Sequence, residues 1–417
     1  MYLTLYANDK GEMFESESLL MLGRIGNNWV IPEDDELIPL PKGASLVMVP
    51  YSYPVGLSFD EEIVCLEKEP FERNKPVYAV AALLPQGFTR NLMPASVKMD
   101  KSQNLPLLGY AAVGFKDNQV YVAATQTDQH RKWHPVKYNT ELLPQRINKM
   151  LNQFPNNRIL RQLAKCSLQY SCFTAQNIFY QRWEGGIPTM MTCNADCLGC
   201  ISESHAGVES PQNRLNFKPE VSEISEIAIS HLENAHEAII SFGQGCEGEP
   251  SLNANSLSKA IIEIRNNTPK GTININTNAG YTQGIKQMVD AGLDAIRVTI
   301  FSCNRSNYNK YHKPRGYDLE NVIDSIKYAK DKGVTVSLNL LTFPGFTDRE
   351  TEVQALIDFI KDTSVDMIQL RNLNIDPELL MNHFPDDELS MGILNFIKTI
   401  KQELPQVKIG SYSHPVR

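Results

Sequence analysis

Cys193, Cys197 and Cys200 fall within eight residues, in the run Met190-Met-Thr-Cys-Asn-Ala-Asp-Cys-Leu-Gly-Cys200. A C-x3-C-x2-C loop supplies three thiolates at a spacing that holds three corners of a cubane iron–sulfur cluster, one fewer than a closed structural site uses. One iron is then open to a small molecule that can chelate it and receive an electron. The same thiols have other uses. With His205 as fourth ligand they compose a zinc site, although zinc hooks usually come as two C-x2-C pairs and no second pair is present. Disulfide pairing is the remaining use. Eight cysteines in 417 residues without a signal peptide instead predict a reducing, cytoplasmic setting, in which the loop thiols serve as ligands.

A reactive loop needs a frame, and the sequence that follows reads as strand and helix units in the order of a parallel barrel. Apolar runs at Ile187–Thr192, Ala238–Phe242, Thr272–Thr277, Ala295–Phe301, Val334–Phe343 and Asp366–Leu370 predict six buried strands. Between them, Leu257, Ala260, Ile261 and Ile264 recur at i, i+3, i+4 and i+7, as do Val353, Leu356, Ile357 and Ile360. Each such helix has one apolar face to lay on a sheet. Ser222, followed by Glu223 and Glu226, suits a helix start. Six units of this kind make a three-quarter barrel, an α/β fold of the partial (β/α)6 TIM-like type. The cysteine spacing and this frame together resemble the radical S-adenosylmethionine (radical SAM) superfamily, over about residues 185–376 and on toward the chain's end. The resemblance implies a [4Fe–4S] cluster on Cys193, Cys197 and Cys200. It further implies that S-adenosylmethionine (SAM) caps the fourth iron and is cleaved to a 5′-deoxyadenosyl radical, and that ferredoxin or flavodoxin supplies the electron.

In parallel barrels, reactive groups gather where strands give way to loops at their carboxyl ends. The second strand runs into Ser241-Phe-Gly-Gln-Gly-Cys-Glu-Gly-Glu-Pro250, where Gly248, Glu249 and Pro250 are similar to the family's Gly-Gly-Glu-Pro turn that receives the SAM amino group. Glu247 stands where the family has its first glycine. An ammonium leaving water needs acceptors, which a carboxylate beside bare carbonyls provides. Alternation puts Asn274, Asn276 and Asn278 on one surface of the third strand. A ribose, a carboxylate or a hydrogen-bonded core network would each satisfy them. Ser302, closing the fourth strand, matches the family residue that touches the ribose. Arg297 has the fork that suits the SAM carboxylate, with a salt bridge to a neighbouring helix as the plain alternative. Asn339 on the fifth strand, and Gln369, Arg371 and Asn372 at the end of the sixth, are expected to face the substrate. Where the family commonly has an aromatic residue against adenine, this chain has Gly199 preceded by Leu198.

Outside the loop, Cys246 lies in the turn after the second strand and Cys303 just beyond the fourth. Both are candidates to quench or relay a radical, against the ordinary role of free cysteine as a small buried apolar residue. Cys166 and Cys172 precede the first strand and bring the number to four, enough for an auxiliary cluster, although cluster ligands normally come as a compact run. Cys65 has no evident role.

Residues 1–138 read as a β-rich N-terminal domain. Apolar runs at Tyr2–Tyr6, Ser45–Val49, Val77–Leu84, Leu108–Gly114 and Val120–Thr125 alternate with turn residues, and Lys116-Asp-Asn-Gln119 fits a hairpin. A helical bridge over 139–184, broken at Pro155-Asn-Asn157, is expected to press onto the barrel's open side, and 185–417 forms the barrel. His130 and His134 stand at a metal-pair spacing, but Pro135 beside them favours a surface loop. Arg90 and Trp183 adjoin predicted loops and are possible substrate contacts.

Forty Lys and Arg against 48 Asp and Glu give a net charge of -8, which argues against a broad phosphate-tracking surface and hence against nucleic acid. No apolar run reaches the length of a bilayer span. Within the enzyme class, a peptide or protein substrate ranks first, since a β-rich module and an acidic surface suit a protein partner. RNA modification is the alternative, because Gly248-Glu-Pro-Ser-Leu-Asn253 also resembles the adenosine-methylating branch. That branch uses a cysteine near the end of its chain, and none follows Cys303 here. A non-catalytic iron–sulfur scaffold or redox sensor is the reading from a different class.

Overall fold

The computed structural model describes residues 1–70, 75–100, 103–129, 131–204, 209–385 and 388–417. His205 and His130, named above as metal ligands, lie outside the described residues. The chain divides into two compact units: Met1–His130 with Leu341–Gln354 and Leu370–Pro405, and Arg131–Leu340 with Ala355–Gln369 and Gln406–Arg417.

The first unit is built on an eleven-stranded sheet. Its central strands include Leu3–Ala7, Tyr78–Leu83, Tyr110–Lys116 and Gln119–Gln126, close to the apolar runs of the sequence. The hairpin at Lys116–Gln119 turns through Asp117 (φ 50°) and Asn118 (φ 57°), the two left-handed residues that a tight antiparallel reversal demands. The strand Met13–Met21 has a Glu-Ser-Glu-Ser centre and the strand Ser52–Ser58 is interrupted by Pro54 and Gly56, so neither announces itself as an apolar run. Arg90 is only 2% exposed. Its guanidinium donates to the carbonyls of Leu373 (2.7 Å) and Tyr110 (3.2 Å) and lies over the Phe343 ring, so it ties this unit together internally. Burial draws its pKa down to about 10.

The second unit is the barrel. Seven parallel strands follow chain order in a curled sheet of half-barrel form: β1 (Arg182–Ile187), β2 (His236–Phe242), β3 (Thr272–Thr277), β4 (Ala295–Ile300), β5 (Thr335–Thr342), β6 (Met367–Asn372) and β7 (Lys408–Gly410). Five of the six expected strands fall where the apolar runs stand. The first does not. It ends at Ile187 instead of beginning there, because Pro188 has no N–H to continue the ladder. Its register with β2 slips between Arg182 and Glu184, where Trp183 and Glu237 both take left-handed φ of 49°. The three-residue β7 is an addition to the expected six, paired parallel to β6.

Helices cover the sheet as their apolar stripes require. Leu257, Ala260, Ile261 and Ile264 of the helix Ala254–Asn267 are fully buried, as are Ile239, Ile273, Ile296 and Val336 of the strands. The helix after the cysteine loop, Val221–Asn234, starts one residue before Ser222. Its cap is Glu220, which pairs with Glu223 in a capping box, so Ser222 sits in the first turn. The bridge forms three helices, α1 (Leu143–Gln153), α2 (Arg158–Gln169) and α3 (Phe173–Tyr180). Asn157 caps α2 through its side chain, which accepts from Leu160 N at 3.1 Å. α3 packs against β1, the sheet's edge strand. No helix among the described residues is long and apolar enough to cross a membrane.

Candidate functional site

Beyond Pro188 the chain leaves the sheet irregularly and reaches the three cysteines, all half-buried. What holds this loop is mostly main chain. Gly248 N donates to Met190 O at 2.7 Å and Glu249 N to Thr192 O at 2.9 Å, so the turn after β2 pairs with the loop after β1. Glycine is required here: a Cβ on residue 248 would stand 2.0 Å from Thr192 O. On the other flank, Asp196 N donates to His312 O (3.0 Å), Leu198 N to Tyr311 O (3.1 Å) and Arg315 N to Asn194 O (2.8 Å). From β3, Asn278 Nδ2 donates to Asn194 Oδ1 at 2.7 Å.

Glu247, the departure noted in the sequence, acts as a second staple. Its carboxyl accepts from Thr189 N (2.8 Å), Thr189 Oγ1 (3.0 Å), Met190 N (3.2 Å) and Gly243 N (2.6 Å). Burial nevertheless outweighs these donors and pushes it up to about 8. Glu249 is also buried, and burial raises its pKa; it accepts from Asn278 N, Ser251 N and Thr277 Oγ1, and it caps the short turn Pro250–Asn253. Its carboxylate is thus committed to the turn and to β3.

Burial pushes the Cys193 thiol up to about 11 and Cys197 well above its ordinary value, with the neighbouring thiols adding in the same direction. Such thiols keep their protons until a cation replaces them. Among the described residues, no three His, Cys, Asp or Glu side chains converge as ligands of one metal ion. A cubane distributes its thiolates over separate irons and needs no convergence on one point, and three soft sulfur donors without a carboxylate suit iron–sulfur chemistry. The donor set therefore fits the cluster. Beside it, Cys197 Sγ lies 3.2 Å from His312 Nδ1, and Phe301 N donates to His312 Nε2 at 3.2 Å. A ring that accepts at Nε2 carries its proton on Nδ1, which then points at the sulfur. Burial depresses His312 to about 3, so the ring is neutral.

The other candidates separate into two groups. Inside the barrel, Arg297 bonds to Glu184 (3.1 Å), Ser413 Oγ (2.7 Å) and Gln369 Oε1 (3.4 Å). Ser241 Oγ donates to Glu184 at 2.7 Å, Asn274 Nδ2 to Ser241 Oγ at 2.9 Å, and Gln369 Nε2 to Ser337 Oγ at 3.2 Å. This is a closed polar belt across β1 to β6, and the partner of Arg297 comes from a strand where a helix was expected. Asn276 Oδ1 accepts from Asn274, while its Nδ2 is buried with no hydrogen-bond partner. Nearer the strand ends, Ser302 Oγ accepts from Asn304 N (3.0 Å) and Asn339 Nδ2 donates to Thr299 Oγ1 (3.2 Å). Cys303 is half-buried, whereas the Cys246 thiol is turned against Cys166. Asn372, itself part of the first unit, is bonded within that unit to the main chain of Phe88 and Arg90. Trp183 is stacked under Arg182. Glu184 and His312 escaped the sequence reading, and Glu247 entered it only as a departure in the turn, with no role assigned.

Residues 187–359 match the family model of the Radical SAM superfamily. Two curated relatives are each a probable GTP 3′,8-cyclase. That of Methanosarcina mazei is 38% identical over 132 residues, covering 31% of this chain and 37% of the relative. That of Methanosarcina acetivorans is 37% identical over 97 residues, covering 22% and 28%. The match thus spans about a third of the length of these relatives. Among solved structures, native anSMEcpe with bound AdoMet shares 15% identity at a TM-score of 0.40, covering 54% of this chain and 64% of that one. Streptococcus suis SuiB bound to S-adenosylmethionine shares 13% at 0.40, covering 73% and 70%. From Ile187 to Phe359, this chain is a domain of the radical SAM superfamily, whose members use a [4Fe–4S] cluster and SAM.

Proposed function

We propose that this chain is an enzyme that holds a [4Fe–4S] cluster on Cys193, Cys197 and Cys200, binds SAM beside it, and modifies a peptide or protein in a cytoplasmic setting. The observation that carries the reading is the three-thiol loop stapled by Gly248 and Glu249 to the turn after β2. When bound, cluster and SAM supply a one-electron cleavage of the sulfonium to methionine and a 5′-deoxyadenosyl radical, which takes hydrogen from the substrate; the electron comes from a ferredoxin or flavodoxin. The residues do the placing. The carbonyls around Gly248, Glu249 and Pro250 receive the SAM ammonium, because the Glu249 carboxylate is already engaged. Asn276 Nδ2 offers a buried donor, and Asn278, Ser302 and Asn339 line the approach from β3, β4 and β5. Arg297, with its charge answered by Glu184, orders the barrel interior. Cys303, half-buried just beyond β4, is the candidate to quench or relay a radical.

Anaerobic reconstitution followed by reduction with SAM present tests this. Formation of 5′-deoxyadenosine supports the enzyme; an intact cluster without it leaves the scaffold or sensor. The local identity to probable GTP 3′,8-cyclases favours a second substrate class, a purine nucleotide. Incubation with GTP and with peptides encoded beside the gene separates the two, by which one changes mass.

A further inference from the structure

Cys166 lies in α2 and Cys246 in the turn after β2, eighty positions apart, and their Sγ atoms stand 2.7 Å from one another. That separation is well inside the contact distance of two non-bonded sulfurs and not far beyond the roughly 2.05 Å of a disulfide bond. Both residues are buried, Cys166 at 1% exposure and Cys246 at 3%. Cys246 is held at a left-handed φ of 42°, a conformation a non-glycine residue keeps only when its surroundings impose it. Two amides attend the pair: Gln162 Nε2 donates to Cys166 Sγ at 3.4 Å, and the Gln212 side-chain oxygen lies 3.5 Å from Cys246 Sγ. Among the described residues, no charged side chain makes a hydrogen bond to either sulfur.

We propose that Cys166 and Cys246 are a modification site, a dithiol that closes to an intrachain disulfide when a peroxide reaches it. The hydrogen bond from Cys246 draws the Cys166 thiol down and holds the proton on Cys246, which makes Cys166 the attacking sulfur. Cys166 thiolate attacks one peroxide oxygen, breaking the O–O bond, and becomes a sulfenic acid as hydroxide leaves. Cys246 sulfur then displaces the sulfenic oxygen, which departs as water with the proton that Cys246 gave up. Two thiols are oxidised and one peroxide is reduced to two waters. The product joins α2 to the turn that carries Glu247, Gly248 and Glu249, and the inference does not depend on the radical reading.

The test treats anaerobically prepared full-length holoprotein with one equivalent of hydrogen peroxide, then denatures it, alkylates it with N-ethylmaleimide and digests it with trypsin. Cys166 and Cys172 share a tryptic peptide, so fragmentation and the C172S variant assign the link. The expected result is a Cys166–Cys246 linked peptide in wild type and in C172S, with most of the alkylated Cys246 lost, the link absent from C166S and reversed by dithiothreitol. Recovery of both residues alkylated after peroxide, or a link from Cys246 to Cys172, overturns the proposal.

Discussion

The belt inside the barrel and the loop at its strand ends are both polar groups withdrawn from water, yet they are completed differently. In the belt, Glu184, Arg297, Ser241, Asn274 and Gln369 answer one another with protein donors and acceptors. In the loop, main-chain bonds fix the backbone while burial of the Cys193 and Cys197 thiols outweighs what the nearby Arg214 charge offers Cys193. Satisfied buried polarity is scaffold; buried donors held rigidly and left incomplete are a place for something the chain does not contain. Asn276 stands on the border, with its oxygen in the belt and its nitrogen unclaimed.

The sharpest way to break this contrast is to remove loop thiols. Alanine at Cys193, Cys197 or Cys200 is expected to reduce bound iron and 5′-deoxyadenosine formation to background, measured by iron analysis and chromatography, with little change in folding. In the belt the expectation reverses. Arg297→Ala strands the Glu184 charge and costs about 3–5 kcal/mol in denaturant unfolding, whereas replacing both partners with apolar residues of similar volume recovers most of it. If the single and double variants are equally unstable, the belt is not a paired scaffold.

Glu247 sharpens the comparison through pH. Its folded pKa lies above the unfolded value of 4.5, so its contribution to stability is fully present below pH 4.5 and is lost as pH rises through about 8. The wild-type midpoint is expected to fall across that window relative to Glu247→Gln, with a slope of at most about 1.4 kcal/mol per pH unit. A parallel pair of curves would show the carboxyl ionised on folding. The smallest effect belongs to His312. Loss of its Nδ1–H in His312→Leu is expected to lower the cluster's reduction potential, since a hydrogen bond to sulfur favours the more negative reduced state, and to slow turnover roughly 10-fold. An EPR-monitored titration that places both proteins at one potential would remove His312 from the account.

Much of this was legible in the residues. Cysteine spacing marked the loop, and buried apolar runs marked five strands, because both signals are local. The first strand escaped because Arg182–Ile187 is polar at one end and carries two glycines, so no apolar run announces it. The seventh is too short for any periodicity. Arg297 was read as a partner for the SAM carboxylate or for a neighbouring helix, and neither reading named Glu184, a strand residue 113 positions away. Cys246 was read from its turn, while the residue that meets it comes from α2. Pairings across the chain follow from the closing of the sheet, which no window of sequence contains.

The two bonds from Gly248 and Glu249 to Met190 and Thr192 use peptide atoms on both sides. Mutational drift at Met190, Met191 or Thr192 therefore leaves this clasp unaltered, provided the backbone path is kept. Residue 248 has no such freedom, for even one methyl group there would pry the two loops apart. A library randomised across 190–192 and 247–249 should accept many side chains at the first stretch and return glycine almost alone at position 248.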